Sequence, residues 1–126
     1  MEFSNDRPIY RQISDICFSR ILSGEWKPEG KVPSVRELAG ELVVNSHTVL
    51  KAFDYLQGEG IIVARRGLGF FLAADARRRV LEAKKAEFFD TTLSGVFANM
   101  KMLGITIEEV VEHYKAASAS ENADDK

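Results

Sequence analysis

The sequence predicts an α+β fold that is mostly helical, with three helices and a β-hairpin followed by a two-helix C-terminal segment. Three observations predict it. Apolar residues recur every three or four positions over residues 8–22, 34–42 and 45–58, as on the buried face of amphipathic helices. Residues 61–72 change to short β-branched and aromatic runs on either side of "RRGLG". Residues 74–116 contain no proline and return to helical spacing.

Length and composition suit one compact domain with an appended helical piece. The chain has 126 residues, of which 45% are hydrophobic and 29% charged, as in ordinary globular proteins. No apolar run approaches the roughly 20 residues of a membrane-spanning helix. The N-terminus "MEFSNDRPIY" lacks the pattern of a signal peptide, so we expect a cytoplasmic protein that does not contact membranes. The lone Cys17 lies in an apolar run and is expected to pack as a small hydrophobic residue.

The charge balance excludes a globally basic surface. The chain has seventeen basic and nineteen acidic residues, which gives a net charge of -2. Because domains that bind nucleic acid are often strongly basic, this composition argues mildly against DNA binding. Any DNA-binding surface must therefore come from the local placement of charge.

Residues 1–73 are predicted to form a winged helix. Ser34 and Glu37 have the spacing of a capping box at the start of the second helix. Asn45 is a good cap for the third, and a turn of three or four residues between two short helices is typical of a helix-turn-helix. The hairpin would then form the wing, with its tip at Arg65–Gly69.

Residues 74–117 are predicted to be a two-helix dimerisation segment, and residues 118–126 a disordered tail. The first helix would run to residue 103 with a bend near Gly95, and Thr106 would cap the second. Their broad apolar face has no third helix to cover it, so a second copy of the chain is the simplest cover, giving a two-fold homodimer. The predicted interface residues are Phe88, Phe89, Phe97, Met100, Leu103, Val110, Val111 and Tyr114.

The third helix carries unusual side chains on its outward face. If Val49, Phe53 and Leu56 face the core, His47, Leu50 and Lys51 face outward, because successive residues turn by about 100°. The first turn is polar and able to form hydrogen bonds; its residues are Asn45, Ser46, His47 and Thr48. Such side chains at the start of a recognition helix contact base edges and phosphates.

Basic residues could extend this surface, although structural interpretations of some stay open. Arg36 could reach a guanine or a phosphate, or pair with Glu37, Glu41 or Glu59. Lys51 could instead interact with Asp54 or Tyr55. Arg65 and Arg66 are harder to explain as structure, because a hairpin turn requires the glycines and not two adjacent cations. The "RRR" of residues 77–79 is more typical of a solvated helix start than of a second DNA contact.

The sequence contains no assembled catalytic or cofactor site. His113 has no second histidine at metal-binding spacing, so no metal site is predicted. "GLGF" lacks the preceding strand and following helix of a dinucleotide site. We therefore predict neither an enzyme nor a bound cofactor.

Residues 6–72 resemble the N-terminal winged-helix domain of the GntR family of bacterial transcription regulators. The resemblance rests on "PSVRELA", "VNSHTVLKAF", "EG" and "RRGLG" in the expected order. The plan of a winged helix followed by only two helices looks like the small YtrA subfamily, in which the helical tail dimerises. The resemblance implies DNA contacts at Ser34, Arg36, Asn45, His47, Thr48, Lys51, Arg65, Arg66 and Gly67. Ser46 and Leu50 depart from the family pattern and are candidate DNA contacts from their positions on the third helix. Leu50 departs from the family, which commonly has a polar or basic residue there.

These observations predict a homodimeric, sequence-specific DNA-binding regulator, a repressor that reads an inverted repeat in double-stranded DNA. Its half-sites would lie about one helical turn, ~34 Å, apart. The alternative is a winged helix used as a protein-interaction module, which the slight net acidity favours and the paired arginines of the wing oppose. The two-helix tail is too small to enclose a ligand by itself, so a small-molecule effector would need a cleft at the dimer interface.

Overall fold

A computed structural model of the chain describes Phe3 and residues 7–124, with side chains as far as Glu121. The chain divides into two compact units, one ending at Lys85 and the other beginning at Ala86. In chain order the elements are α1 (Ile9–Leu22), α2 (Val35–Leu42), α3 (Ser46–Gly58), β1 (Ile62–Arg65), β2 (Gly69–Leu72), α4 (Ala76–Glu87), a π-helical turn (Phe88–Thr92), α5 (Leu93–Leu103) and α6 (Ile107–Asp124). This order confirms the predicted mostly helical α+β fold.

The core of the first unit lies where α3 packs against α1 and α2. Phe53 and Leu56 on α3 are fully buried, as the helical spacing predicted, and Phe18 on α1 is 1% exposed. Cys17 belongs to the same cluster, and its burial raises the pKa of the thiol to about 12. The thiol therefore stays protonated and packs as the predicted small hydrophobic residue.

The wing is an antiparallel hairpin with a third short partner. Its register pairs Ile62 with Leu72, Val63 with Phe71, Ala64 with Phe70 and Arg65 with Gly69. The segment before α2 runs along the other side of β2, with Lys31 opposite Phe71. Three backbone N–H groups donate across this pairing: Val32 to Phe70 O at 3.0 Å, Leu72 to Gly30 O at 2.9 Å and Glu29 to Leu72 O at 3.2 Å.

The first turns of α4 belong to the winged-helix unit. Ala76 and Val80 are buried in its core, at 1% and 0% exposure. Arg77 Nη1 donates to the carbonyl of Leu22 at the end of α1, at 2.6 Å. The unit therefore extends beyond the hairpin and ends inside α4.

The other two arginines of the "RRR" run bind carboxylates. Arg78 donates to Asp75 and Glu82 at 2.6 Å each, and Arg79 Nε donates to Asp75 at 3.0 Å. Hydrogen bonds, first from Arg79 and then from Arg78, hold the pKa of Asp75 below its usual range. The run thus organises the start of α4.

The helix bounds of the C-terminal unit differ from the expected ones in two places. The irregularity falls in the π-helical turn at Phe88–Thr92, whereas Gly95, where a bend was expected, lies inside α5. Residues 118–124, predicted to be disordered, continue α6, because "SASENAD" contains no glycine or proline to end a helix that is already nucleated. The rest of the predicted tail, residues 125–126, lies outside the described residues.

Thr106 caps α6 as expected. Its hydroxyl accepts from the N–H of Glu109 at 3.2 Å, and the Glu109 carboxylate accepts from the N–H of Thr106 at 3.1 Å. Within the described range, no helix is both long and apolar enough to cross a membrane.

Gly60, which follows α3, offers a test of the backbone strain that glycine avoids at this position. Its φ is +73°, and an added Cβ would lie 2.7 Å from Arg79 Nη1. Gly60→Ala should lower the free energy of unfolding by about 1–2 kcal/mol, because an L-residue is strained in the left-handed region. The measurement is urea unfolding of the full chain.

Gly58→Ala is the matched control. Gly58 has no positive φ, and an added Cβ there would meet no atom within 4 Å. Its stability should be unchanged or slightly raised. Equal stabilities for the two variants would contradict this account.

Candidate nucleic-acid interface

The first turn of α3 presents polar side chains to solvent. Asn45 caps the helix, its side-chain oxygen accepting from the N–H of His47 at 2.8 Å, and its backbone carbonyl accepts from the N–H of Thr48 at 3.0 Å. Asn45, Ser46 and His47 are exposed and Thr48 is half-buried. The cap leaves the Asn45 amide NH₂ free to donate elsewhere. The turn therefore offers several hydrogen-bonding groups along one edge of the helix.

The next turn adds an apolar and a basic side chain. Leu50 is 43% exposed, so much of its side chain is open to a partner. Lys51 is also exposed, and its Nζ lies 4.5 Å from the centre of the Tyr10 ring on α1. This cation–π contact, rather than the proposed interaction with Asp54 or Tyr55, directs the Lys51 side chain toward the start of α1.

The capping box of α2 is formed as predicted. The N–H of Glu37 donates to Ser34 Oγ at 3.1 Å, and the N–H of Ser34 donates to Glu37 Oε1 at 3.1 Å. These hydrogen bonds, with that from the Ser34 backbone first, hold the pKa of Glu37 below its usual range. The box fixes the first turn of α2, from which Arg36 projects.

Arg36 is left without the carboxylates that its sequence neighbours suggested. Glu37 accepts from Ser34, and Glu41 accepts a bidentate pair from Arg20 at 2.7 and 3.0 Å. Arg36 is exposed, and within the described part of the chain it forms no ion pair. Its guanidinium is therefore available to an external anion.

The tip of the wing carries two exposed cations. The Arg65 guanidinium carbon lies 4.4 Å from the centre of the Phe71 ring, which supports the side chain. Arg66 follows at the turn, where Gly67 adopts a φ of +76° and the N–H of Leu68 donates to Arg65 O at 2.8 Å. Among the residues that the structure describes, neither arginine pairs with a carboxylate.

The arginines of this unit therefore include some that pair with carboxylates and some that do not. Arg20, Arg78 and Arg79 form ion pairs with carboxylates and serve the fold. Arg36 and the wing arginines have no ion-pair partner in the part of the chain that the structure describes. A net charge of -2 thus conceals a locally basic surface.

Sequence reasoning missed two residues beside this surface. Tyr10 supports Lys51 from another helix, and Lys31 joins the wing through its pairing with Phe71. Neither contact is visible in a linear pattern, because each joins distant segments. Among the residues that the structure describes, His113 belongs to no cluster of metal-binding side chains.

Comparison with known proteins places this surface in a family. Residues 9–72 match the family described as bacterial regulatory proteins, gntR family. The chain is 37% identical to the uncharacterized HTH-type transcriptional regulator YhcF of Bacillus subtilis (strain 168), over 90% of this chain and 93% of that protein. It is 36% identical to the HTH-type transcriptional repressor YtrA of the same strain, over 89% of this chain and 85% of YtrA.

Solved structures show the same fold. A structure described as a proposed transcriptional regulator of the GntR family from Bacteroides thetaiotaomicron has a TM-score of 0.77 and 36% identity, covering 89% of this chain and 98% of that one. The DNA-binding domain of AraR, solved in complex with operator ORR3, has a TM-score of 0.52 and 30% identity, covering 58% of this chain and 88% of that one. The chain therefore belongs to the GntR family of bacterial transcription regulators, a family of DNA-binding proteins and not of enzymes.

Proposed function

We propose that this protein is a homodimeric repressor that binds an inverted-repeat DNA operator in the cytoplasm. The observation that carries the proposal is that the winged-helix unit presents both a polar, exposed first turn of α3 and cations that have no carboxylate partner among the described residues. Duplex DNA supplies a binding partner for each: base edges for the polar turn and phosphates for the cations.

The proposed contacts fall into two groups. Side chains of α3 would enter the major groove and read base edges; they are Asn45, Ser46, His47, Thr48 and Leu50. The phosphate backbone would be bound by the other predicted contact residues, namely Ser34, Arg36, Lys51, Arg65, Arg66 and Gly67. Only the first group gives sequence preference directly, whereas the second sets register and affinity.

Named relatives support repression at an operator. YtrA of Bacillus subtilis is a transcriptional repressor and is similar to this chain over most of both sequences. The DNA-binding domain of AraR was solved on operator DNA. Binding of this chain to an operator would repress transcription if it blocks RNA polymerase.

The apolar surface of the second unit supports the dimer. In that unit Phe89 is 56% exposed, Leu103 64% and Tyr114 73%, and α5 buries none of its residues. Such an apolar surface on short helices has a free-energy cost in water, so burial against another copy is favourable. The proposed interface comprises Phe88, Phe89, Phe97, Met100, Leu103, Val110, Val111 and Tyr114. A two-fold axis through these helices would present two wings to two half-sites.

Selection from a random DNA pool tests the DNA-binding mechanism. The wild-type protein should enrich a palindromic motif and bind it less tightly as salt rises, because phosphate contacts release counterions. Arg36→Ala and Arg65→Ala should each weaken binding by about tenfold, in the range of 1–3 kcal/mol for a well-formed contact. Gel shifts of the selected duplex measure this loss.

Arg78→Ala is the control for that experiment, because Arg78 is already paired with Asp75 and Glu82. It should bind like the wild type. Selection that returns no coherent motif, or binding insensitive both to salt and to the two substitutions, would instead favour the protein-interaction module.

A charge placed in the proposed dimer interface should separate the protomers. Leu103→Asp should convert a dimer to a monomer in sedimentation equilibrium, because an unpaired carboxylate in an apolar interface costs several kcal/mol. Met102→Asp is the matched control, since Met102 is the adjacent residue, is 75% exposed and lies outside the proposed set. A wild-type monomer, or identical behaviour of the two variants, would contradict the interface.

Leu50 should set part of the operator preference. An exposed leucine in the groove would contact a thymine methyl group, whereas Leu50→Arg would favour the O6 and N7 acceptors of guanine. We expect repeated selection with Leu50→Arg to change the preferred base at one position of each half-site, by about 1–3 kcal/mol. Leu50→Met should retain the wild-type motif. An unaltered motif for Leu50→Arg would show that Leu50 does not read DNA.

A further inference from the structure

The outward face of the wing sheet extends beyond the hairpin to Lys31. Residues directly opposite each other in an antiparallel pair project to the same face. Ile62 and Leu72 face the core, at 1% and 2% exposure, whereas the neighbouring pair, Val63 and Phe71, faces outward. Lys31 pairs with Phe71 from the other side, so its side chain projects from this outward face.

Arg65 and Gly69 form the next outward pair of the hairpin, toward the tip. Gly69 adopts a φ of +106°, and an added Cβ would lie 3.2 Å from Lys31 Cε and 3.8 Å from its Nζ. The Lys31 side chain therefore lies over the Gly69 backbone, along the course of β2. The absence of a side chain at Gly69 is what leaves room for it.

The charged groups of Lys31 and Arg65 therefore both lie over residues of β2. The Arg65 guanidinium stacks on Phe71, and the Lys31 amine lies beside Gly69, the cross-strand partner of Arg65. Like charges on one face repel each other unless an anion is shared between them. Their common position favours an external polyanion, whose successive negative charges can bind both cations.

The described part of the chain supplies no such anion to Lys31. Glu37 is the carboxylate that Lys31 influences, but Lys31 contributes least to the lowered pKa of Glu37, after both hydrogen bonds from Ser34. No ion pair joins Lys31 to any carboxylate that the structure describes, and its side chain is exposed. An anion bound by Lys31 would have to come from a partner.

We propose that Lys31 is a third cation of the wing and binds a phosphate of the DNA backbone beside the phosphate bound by Arg65. This inference rests on the proposed function, in which the wing lies along duplex DNA. The three backbone hydrogen bonds between the Lys31 segment and β2 hold the Lys31 backbone against the wing, so Lys31 and Arg65 approach the DNA backbone as parts of one unit. Because phosphates carry no sequence information, Lys31 adds affinity and not base preference.

The salt dependence of DNA binding tests the role of Lys31. The probes are the duplex selected by the wild-type protein and a scrambled duplex of equal length and composition. For Lys31→Ala, the slope of log K against log salt should become shallower by about 0.9, the value for one lost phosphate contact in B-DNA. The slope should change equally on both duplexes, and the selected motif should stay the same.

Two further variants and a stability measurement complete the experiment. Lys27→Ala, which removes an exposed lysine from the same loop, should keep the wild-type slope, and Lys31→Arg should restore it. The thermal unfolding midpoint of Lys31→Ala should match that of the wild type. An unchanged slope for Lys31→Ala, or the same change for Lys27→Ala, would overturn the inference.

Failure of this inference is distinguishable from failure of the proposed function. If the wild-type protein selects a palindrome and Arg65→Ala weakens binding while Lys31→Ala leaves the slope intact, only the role of Lys31 is wrong. If no motif is selected and neither Arg36→Ala nor Arg65→Ala alters binding, the proposed function is wrong and the inference falls with it.

Discussion

The packing of α3 against α1 is the constraint on which the rest of the structure depends. Val49, Ala52, Phe53 and Leu56 form one stripe of α3 and are all fully buried. Because an α-helix turns by about 100° per residue, burial of that stripe directs Leu50 and the polar first turn to solvent. The hydrophobic core thus orients the candidate interface, and no separate interaction is needed to keep this face of α3 exposed to solvent.

Hydrogen bonding and ion pairing then sort the polar residues around that helix. Asn45 and Ser34 use their side chains to cap α3 and α2, while Arg20 binds Glu41 across two helices. Glu37 and Glu41, the carboxylates next to Arg36 in the sequence, therefore already accept hydrogen bonds from other groups. Among the described residues Arg36 has no ion-pair partner, which is how a slightly acidic protein can present local positive charge.

The C-terminal unit buries much less of its apolar surface than the winged-helix unit does. The arginines at the start of α4 bind the carbonyl of Leu22 and nearby carboxylates inside the winged-helix unit, whereas α5 buries none of its residues within its own unit. Thr106 caps α6, but isolated short helices are only marginally stable in water, and a pair of helices has too little core to cover its apolar face. The proposed dimer would supply the missing cover.

The sequence by itself determined those features that arise from contacts within a few residues. The capping box at Ser34, the cap at Asn45, the buried stripe of α3 and the hairpin around Gly67 all follow from local spacing. Tertiary structure decided the rest. The pairing of Lys31 with Phe71, the support of Lys51 by Tyr10 and the bond from Arg77 to Leu22 each join segments separated by tens of residues. Such contacts exist only after the core has brought those segments together, so no local pattern of residues encodes them.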